Sequence, residues 1–202
     1  MRLSHKRKIK IREPKLFRFN SYLYNEIKND TFSKRGTVKG LNTTIYDKLI
    51  EHILQNQDKF FRIAYCYVYQ KEAAMDIVQN AICKALENYP GLRNENAIKT
   101  WFYRILINEC LTYLRKSKRE ILCEPGEIKE DIYYEEAYEA KAEVYQLVCN
   151  LPEEMKSIIL LHYFEELTLK EISQALEVNL NTVKTRLYAA LKRLKKNMEV
   201  EV

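Results

Sequence analysis

TLKEISQALEVNLNTVKTRLYAALKRL, the sequence of residues 168–194, carries two helical patterns separated by a three-residue break. In the first pattern, Leu169, Ile172 and Leu176 recur at the spacing of one helix face. Asn179 is a good N-cap for the second helix, because its side chain accepts hydrogen bonds from a first turn. The second helix has one continuous inner stripe, made of Val183, Leu187, Ala190, Leu191 and Leu194. The stretch therefore predicts a helix-turn-helix.

The outward face of the second helix is basic and polar. It comprises Asn181, Lys184, Thr185, Tyr188, Lys192 and Lys195, flanked by Thr182 and Arg186. Such side chains pair with phosphates and base edges when a recognition helix enters the major groove of DNA. A basic helix alone is equally typical of a solvated protein surface. The turn and the cap favour DNA recognition, and Ser173 is small enough for a close helix crossing. Glu177, however, occupies a position where such turns often have Gly.

Composition places the chain among intracellular nucleic-acid binders. Its 202 residues are 47% hydrophobic and 31% charged, with a net charge of +6. No apolar run approaches the roughly 18 residues that span a bilayer, and the basic amino terminus lacks the features of a signal peptide. We therefore expect a cytoplasmic protein.

Cysteine and histidine usage gives no indication of a metal site. The five cysteines are odd in number and show no paired spacing, so reduced, packed thiols are the expectation. The three histidines are scattered, and no CxxC is present. With only four Gly residues, the chain has no Walker-type loop or dinucleotide fingerprint. The sequence predicts no catalytic residue, no metal and no cofactor.

Charge is unevenly distributed and marks the domain boundaries. Residues 1–44 hold twelve Lys or Arg against three acids, whereas residues 120–143 hold nine acids against two Lys. We expect a disordered basic tail at 1–44, a helical domain at 45–119, a flexible acidic linker at 120–143 and the helix-turn-helix domain at 144–198. No segment alternates with period two, so the predicted fold is all-α, with two small helical domains.

The third predicted helix, within NENAIKTWFYRILINECLTYLRKSKR at residues 94–119, combines aromatic and basic residues. Arg104, Asn108 and Arg115 lie on one side of it. Aromatic side chains beside cations suit single-stranded nucleic acid. The alternative, which we favour for Trp101 and its aromatic neighbours, is that they belong to the core.

These motifs resemble the extracytoplasmic-function group of bacterial RNA polymerase sigma factors. The resemblance rests on FFRIAYCYV, EAAMDIVQNAICKAL and WFYRILINECLTYLRKSKR, followed by LPEEMKSIILLHYFEELTLKEISQALEVNLNTVKTRLYAALKRL. It covers residues from about 45 to 197, with only the acidic connector unmatched. DIVQ, WFYRI, YLRK and NTVKTRL in succession are specific, whereas a helix-turn-helix alone is shared by many regulators.

The resemblance implies three functional surfaces. The DIVQ segment matches the family's docking site for the largest polymerase subunit, which implies polymerase binding by Asp76, Gln79 and Asn80. The helix after Pro90 matches the part that melts and captures the downstream promoter element, which implies Asn94, Arg104, Asn108, Arg115 and Lys116. The helix-turn-helix matches the reader of the upstream element, which implies Asn181, Thr182, Lys184, Thr185, Arg186 and Tyr188. Asn181 replaces a common Gly, and Ala189 stands where a further Arg is frequent.

The implied function is a sigma factor, not an enzyme. It would bind core RNA polymerase and promoter DNA, direct transcription initiation in a stress response, and take no small-molecule substrate. An anti-sigma factor is a possible further partner. Two other classes remain open: a stand-alone helix-turn-helix regulator whose first domain senses a ligand or dimerises, and a nucleic-acid-modifying enzyme. The enzyme would need converging catalytic groups, which the sequence does not show.

Overall fold

The computed structural model describes residues 43–121 and 139–200, with the side chains of residues 44–118 and 144–198. All regular elements in these ranges are helical, so the predicted all-α fold is confirmed. They are α1 Thr43–Val68, α2 Lys71–Asn88, α3 Ile98–Ile121, α4 Glu139–Cys149, α5 Glu153–Ile159, α6 Leu169–Leu176 and α7 Leu180–Val200. Residues 1–42 of the predicted tail and 122–138 of the predicted linker lie outside the described residues. The two ends of the linker, 120–121 and 139–143, belong to helices α3 and α4.

The first three helices form a bundle in which each packs against the other two. Its centre is aromatic: the ring centroids of Phe60 and Phe102 lie 4.3 Å apart, and both side chains are fully buried. Helix α1 has a non-helical residue, Asn56, whose Nδ2 donates to the carbonyl oxygen of His52 at 2.8 Å. The aromatic neighbours on α3 are mainly core, as predicted, since Phe102 and Tyr103 are buried and Trp101 is half-buried.

Two short 3-10 turns connect α2 to α3. The first, Tyr89–Gly91, contains Pro90 and follows directly after α2. The second, Glu95–Ala97, is capped by Asn94, whose side-chain oxygen accepts from the Asn96 amide at 3.0 Å. Helix α3 therefore begins from a fixed loop.

The second bundle contains α4 to α7. Pro152 is the N-cap residue of α5. After Ile159, the backbone continues as a π-helical turn, Leu160–Phe164. Helix α5 packs against α7, and α6 packs against both α7 and the π-helical turn.

The two bundles touch each other within one compact unit, Asn42–Val202. Helix α3 packs along α6, and α1 contacts α4. The helix that carries the basic and aromatic pattern therefore lies against the first helix of the helix-turn-helix. Among the helices of residues 43–121 and 139–200, none has the length and apolar character needed to cross a bilayer.

Candidate nucleic-acid interface

The turn between α6 and α7 is held by Ser173 and Glu177. Glu177 has φ 54° and ψ 39°, a left-handed conformation that explains why Gly is common at this position. The Ser173 hydroxyl donates to the carbonyl oxygen of Val178 at 2.7 Å, and its carbonyl oxygen accepts from the Val178 amide at 3.1 Å. Ser173 therefore braces the turn, which is a more specific role than the small size assigned to it from sequence.

Both helices of the motif have side-chain caps. Thr168 and Glu171 form a capping box on α6, with the Thr168 amide donating to Glu171 at 2.8 Å. Hydrogen bonds from the Thr168 side chain and backbone lower the pKa of the Glu171 carboxyl. The Asn179 side chain accepts from the Asn181 amide at 2.8 Å, so the predicted cap of α7 is confirmed.

The structure separates α7 into a buried stripe and an open face. Val183, Leu187, Ala190 and Leu194 are buried, as predicted, and Leu191 is half-buried. On the other side, Asn181, Lys184, Thr185 and Tyr188 are exposed, while Thr182 and Arg186 are half-buried. Among the large hydrophobic side chains of the described residues, Tyr188 is the most exposed, at 71%.

Two side chains of this face have partners within the second bundle. The Thr185 hydroxyl donates to the Asn181 carbonyl oxygen at 2.9 Å. The Arg186 guanidinium lies 2.6 Å from the carboxylate of Glu154 on α5. Arg186 is therefore oriented along the edge of the helix, and a phosphate would compete with Glu154 for it.

The residues matched to downstream promoter capture lie on α3 and the loop before it. Arg104, Asn108 and Arg115 fall within about 40° around the helix at its usual repeat. Asn108, Arg115 and Lys116 are exposed, and Arg104 is half-buried. Arg115 Nε donates to the Leu111 carbonyl oxygen at 3.1 Å, whereas Arg104 donates to the carboxylate of Glu177 in the helix-turn-helix. The structure thus joins Arg104 to the turn of the helix-turn-helix.

The residues matched to polymerase docking lie along α2. Asp76 and Asn80 are exposed, and Gln79 is half-buried. Ile77, on the same helix, faces the core with 2% exposure. This surface is separate from α7 in sequence and belongs to the first bundle.

Sequence comparisons connect this geometry to two families. Residues 52–120 match the family described as Sigma-70 region 2, and residues 141–194 match Sigma-70, region 4. RNA polymerase sigma factor SigV of Bacillus subtilis is 36% identical over 162 residues, which cover 80% of this chain and 93% of that protein. ECF RNA polymerase sigma factor SigW of the same species is 26% identical, covering 70% and 84% of the two chains.

The chain belongs to the extracytoplasmic-function group of RNA polymerase sigma factors. As a sigma factor, it directs promoter recognition and transcription initiation, and the stand-alone regulator is not favoured. Its fold is similar to that of the sigma factor RpoE in complex with the anti-sigma factor NepR from Bartonella quintana, with a TM-score of 0.66, 20% identity, and coverage of 75% of this chain and 97% of that one. CnrH in complex with the cytosolic domain of CnrY has a TM-score of 0.57 at 15% identity, covering 76% and 89% of the two chains.

The sigma factor holds a buried charge between its two bundles that sequence reasoning missed. Glu165, at 3% exposure, follows the π-helical turn and accepts a hydrogen bond from the Tyr103 hydroxyl. Lys99 donates to the Glu165 carbonyl oxygen, and Lys59 lies 3.7 Å from its carboxylate. Burial and the Glu165 charge raise the pKa of Tyr103. We call Lys59, Lys99, Tyr103 and Glu165 the Glu165 cluster.

A second set of contacts between the bundles surrounds Lys156, which is 5% exposed. Lys156 Nζ donates to the Cys66 carbonyl oxygen at 2.9 Å, and burial lowers its pKa to about 8. Tyr67 Oη lies 2.6 Å from Ser157 Oγ, and the Tyr69 hydroxyl donates to the Cys149 carbonyl oxygen at 2.6 Å. We call Cys66, Tyr67, Tyr69, Cys149, Lys156 and Ser157 the interdomain seam.

The expectation that all cysteines are reduced is wrong for two of them. Cys66 at the end of α1 and Cys149 at the end of α4 form a disulfide across the seam. Their separation of 83 residues gives no spacing motif, and only the packing of α1 against α4 brings them together. Cys110 is a buried thiol whose pKa is raised by burial. Neither metal-ligand clusters nor strands occur in the part of the chain that the structure describes.

Proposed function

We propose that this sigma factor reads the upstream promoter element with the open face of α7. The observation that carries the proposal is the division of α7 into a buried stripe and an exposed basic face. The buried stripe fixes the rotation of the helix, so Lys184, Thr185 and Tyr188 face outward. Asn181 lies in the first turn of the same face, and its flanks carry Thr182 and Arg186. Side chains near the start of a recognition helix reach base edges, and cations further along contact phosphates.

The downstream element is assigned to α3 and the loop before it. Arg104, Asn108 and Arg115 share one side of α3, Lys116 adds charge, and Asn94 lies in the capped loop. Cations on one helix face neutralise the backbone of a separated strand. Since Arg104 is bound to Glu177 in this arrangement, downstream capture requires that contact to open.

Core polymerase is assigned to α2, through Asp76, Gln79 and Asn80. These polar side chains lie outside the α2 core, where Ile77 and Ala81 already satisfy packing. A sigma factor positions DNA, and the polymerase supplies the chemistry, so we assign no catalytic residue, cofactor or small-molecule substrate to this chain. Its place of action is then the cytoplasm, where core polymerase works.

An inhibitory protein partner is a further part of the proposal. The two structural neighbours named above are sigma factors bound to NepR and to the cytosolic domain of CnrY. Their similarity to the compact arrangement of this chain supports an anti-sigma factor as the partner. Such a protein would act by holding the two bundles away from polymerase and DNA.

A gel-shift comparison tests the proposed function. Promoter fragments are first selected by run-off transcription of sheared genomic DNA with core polymerase and the reduced chain. Each fragment is then incubated with the chain alone, with core alone and with both. We expect a sequence-specific shift only with both proteins. Tight, specific binding by the chain alone would instead support the stand-alone regulator.

A further inference from the structure

The disulfide connects the two DNA-reading bundles directly. Cys66 lies in the segment that matches Sigma-70 region 2, and Cys149 lies in the segment that matches region 4. Their Cα atoms are 4.9 Å apart, and the residues are 0% and 4% exposed. The bridge is therefore formed inside the contact between the bundles, and it exists only when they are packed together.

Non-covalent contacts on either side of the bridge also hold the two bundles against each other. We call this packed state the closed arrangement. In the seam, Lys156 and Ser157 of α5 bind the end of α1. Farther along, Tyr103 donates to Glu165 and Arg104 pairs with Glu177. Because Arg104 is one of the proposed promoter contacts, closure and downstream capture compete for one side chain.

The cellular setting decides how such a bridge is interpreted. Disulfides are kept reduced in ordinary cytosol, and those found there are usually transient and redox-sensing. A sigma factor works on polymerase in that compartment under the proposed function. A permanent structural disulfide is therefore a poor explanation of the Cys66–Cys149 bond. A reversible disulfide agrees both with the reducing cytosol and with a position between the two bundles.

We infer that Cys66 and Cys149 form a reversible thiol–disulfide site whose oxidation locks the sigma factor in its closed, inactive arrangement. This inference rests on the proposed function for its effect on transcription. Its oxidant is a low-molecular-weight disulfide, and its reductant is a dithiol. Reduction leaves the bundles held by non-covalent contacts alone, which polymerase and promoter DNA displace.

The exchange balances through a mixed disulfide. One cysteine loses its proton and its thiolate attacks the small disulfide RSSR, which forms a protein–SR bond and expels one thiolate that takes up a proton. The second cysteine loses its proton, attacks the protein sulfur of that bond and expels the second small thiolate, which is protonated in turn. Two protein thiols are oxidised to one disulfide, and RSSR is reduced to two RSH.

The test compares oxidised and reduced full-length chain with core polymerase. The chain is treated with oxidised glutathione or with dithiothreitol, passed through gel filtration, and assayed by run-off transcription on a selected promoter. We expect transcription from the oxidised wild type to fall at least tenfold and to recover with dithiothreitol. Cys66→Ser and Cys149→Ser should be equally active in both states. Cys83→Ser, which changes an exposed cysteine on α2, should keep the oxidant response.

Peptide mapping and small-angle scattering supply readouts that do not depend on transcription. Mapping of the oxidised wild type should find a Cys66–Cys149 link, and scattering at high salt should show a larger radius of gyration after reduction. Absence of that link, full activity of the oxidised wild type, or inactivation of Cys66→Ser by the oxidant would each overturn the inference. If the reduced chain and core polymerase start transcription at no promoter, the proposed function fails. Peptide mapping and scattering would still decide whether the disulfide locks the closed arrangement.

Discussion

On the outer face of α7, Lys184 and Tyr188 lie in solvent, whereas Lys156 and Glu165 are buried where the two bundles meet. A solvated ammonium keeps its hydration and needs no protein partner to be stable. A buried charge loses that hydration and must be paired or hydrogen-bonded. Lys156 has the Cys66 carbonyl oxygen, and Glu165 has Tyr103 and Lys59.

The difference separates residues that serve partners from residues that hold the molecule closed. Substitution of an open side chain should alter binding and leave the free energy of unfolding nearly unchanged. Substitution in the Glu165 cluster or the seam should lower the free energy of unfolding. The following experiments test that division, beginning with the largest expected effect.

Replacement of Asp76 and Gln79 by Ala should abolish detectable association with core polymerase. Both side chains lie on α2 outside its buried stripe, so circular dichroism and thermal unfolding should change little. Pull-down with core polymerase measures the association. Glu72→Ala provides the control, because it removes an exposed carboxylate of the same helix one turn earlier. Normal core binding by the double variant would place docking elsewhere and show that this exposed surface has no such role.

Replacement of Glu165 by Ala should reduce the free energy of unfolding by about 2 kcal/mol. A hydrogen bond to a charged group contributes about 1.5–3 kcal/mol, and its loss leaves the Tyr103 hydroxyl buried without its acceptor. Urea unfolding of the reduced chain measures the change. Glu166→Gln is the control, since Glu166 is the exposed neighbour of the same charge. If Glu165→Ala and Glu166→Gln have the same free energy of unfolding, the buried carboxylate holds the molecule together no more than the exposed one does.

These two surfaces also differ in how far sequence could predict them. The α7 stripe follows from a period of 3.6 residues, and its turn follows from local caps at Thr168 and Asn179. The residues that decide the rotation of α7, Val183 to Leu194, lie within about three turns of a single helix. Local chemistry was therefore sufficient to predict which of its side chains are outward.

The contacts between the bundles have no comparable local signal. Tyr103 meets Glu165 across 62 residues, and Lys156 meets Cys66 across 90. Glu165 resembles any acidic residue at a helix end until α3 is packed beside it. The cysteine prediction failed for the same reason: the pairing depends on how α1 meets α4, and a separation of 83 residues contains no information on that.

Replacement of Lys184 by Ala should weaken promoter binding by about 1–3 kcal/mol if the side chain contacts a base, as such contacts usually contribute. A pure phosphate contact should instead reduce the salt slope by about one. Gel shifts of the polymerase holoenzyme over a salt series distinguish these results. Arg62→Ala is the matched control, because it removes one exposed cation from α1, outside the faces assigned to DNA. Similar losses in both variants would mean that net charge, not the orientation of the face, controls binding.

The smallest expected effect is a loss of stability in mild acid caused by His52. Burial first, and then the charges of Lys99 and Lys59, lower its pKa from 6.5 to about 4. The unfolded chain therefore takes up a proton on His52 at a higher pH than the folded chain does. The His52 contribution to stability is complete above about pH 6.5 and falls as the pH drops from there towards 4. Allowing for partial solvent screening, the loss between pH 7 and 5 should be about 1 kcal/mol.

Urea unfolding of the wild type and His52→Gln at both pH values measures this loss. Gln keeps a polar side chain beside Asn56, whose Nδ2 lies 3.3 Å from His52 Nδ1, and it does not titrate in this range. The variant should lose about 1 kcal/mol less than the wild type on acidification. His162→Gln is the control, because it removes the other histidine in the part of the chain that the structure describes, whose ring bonds the Leu167 carbonyl oxygen at 2.8 Å. If His52→Gln and wild type respond identically to acid, the buried side of α1 does not determine the pH response, and carboxylates elsewhere in the chain do.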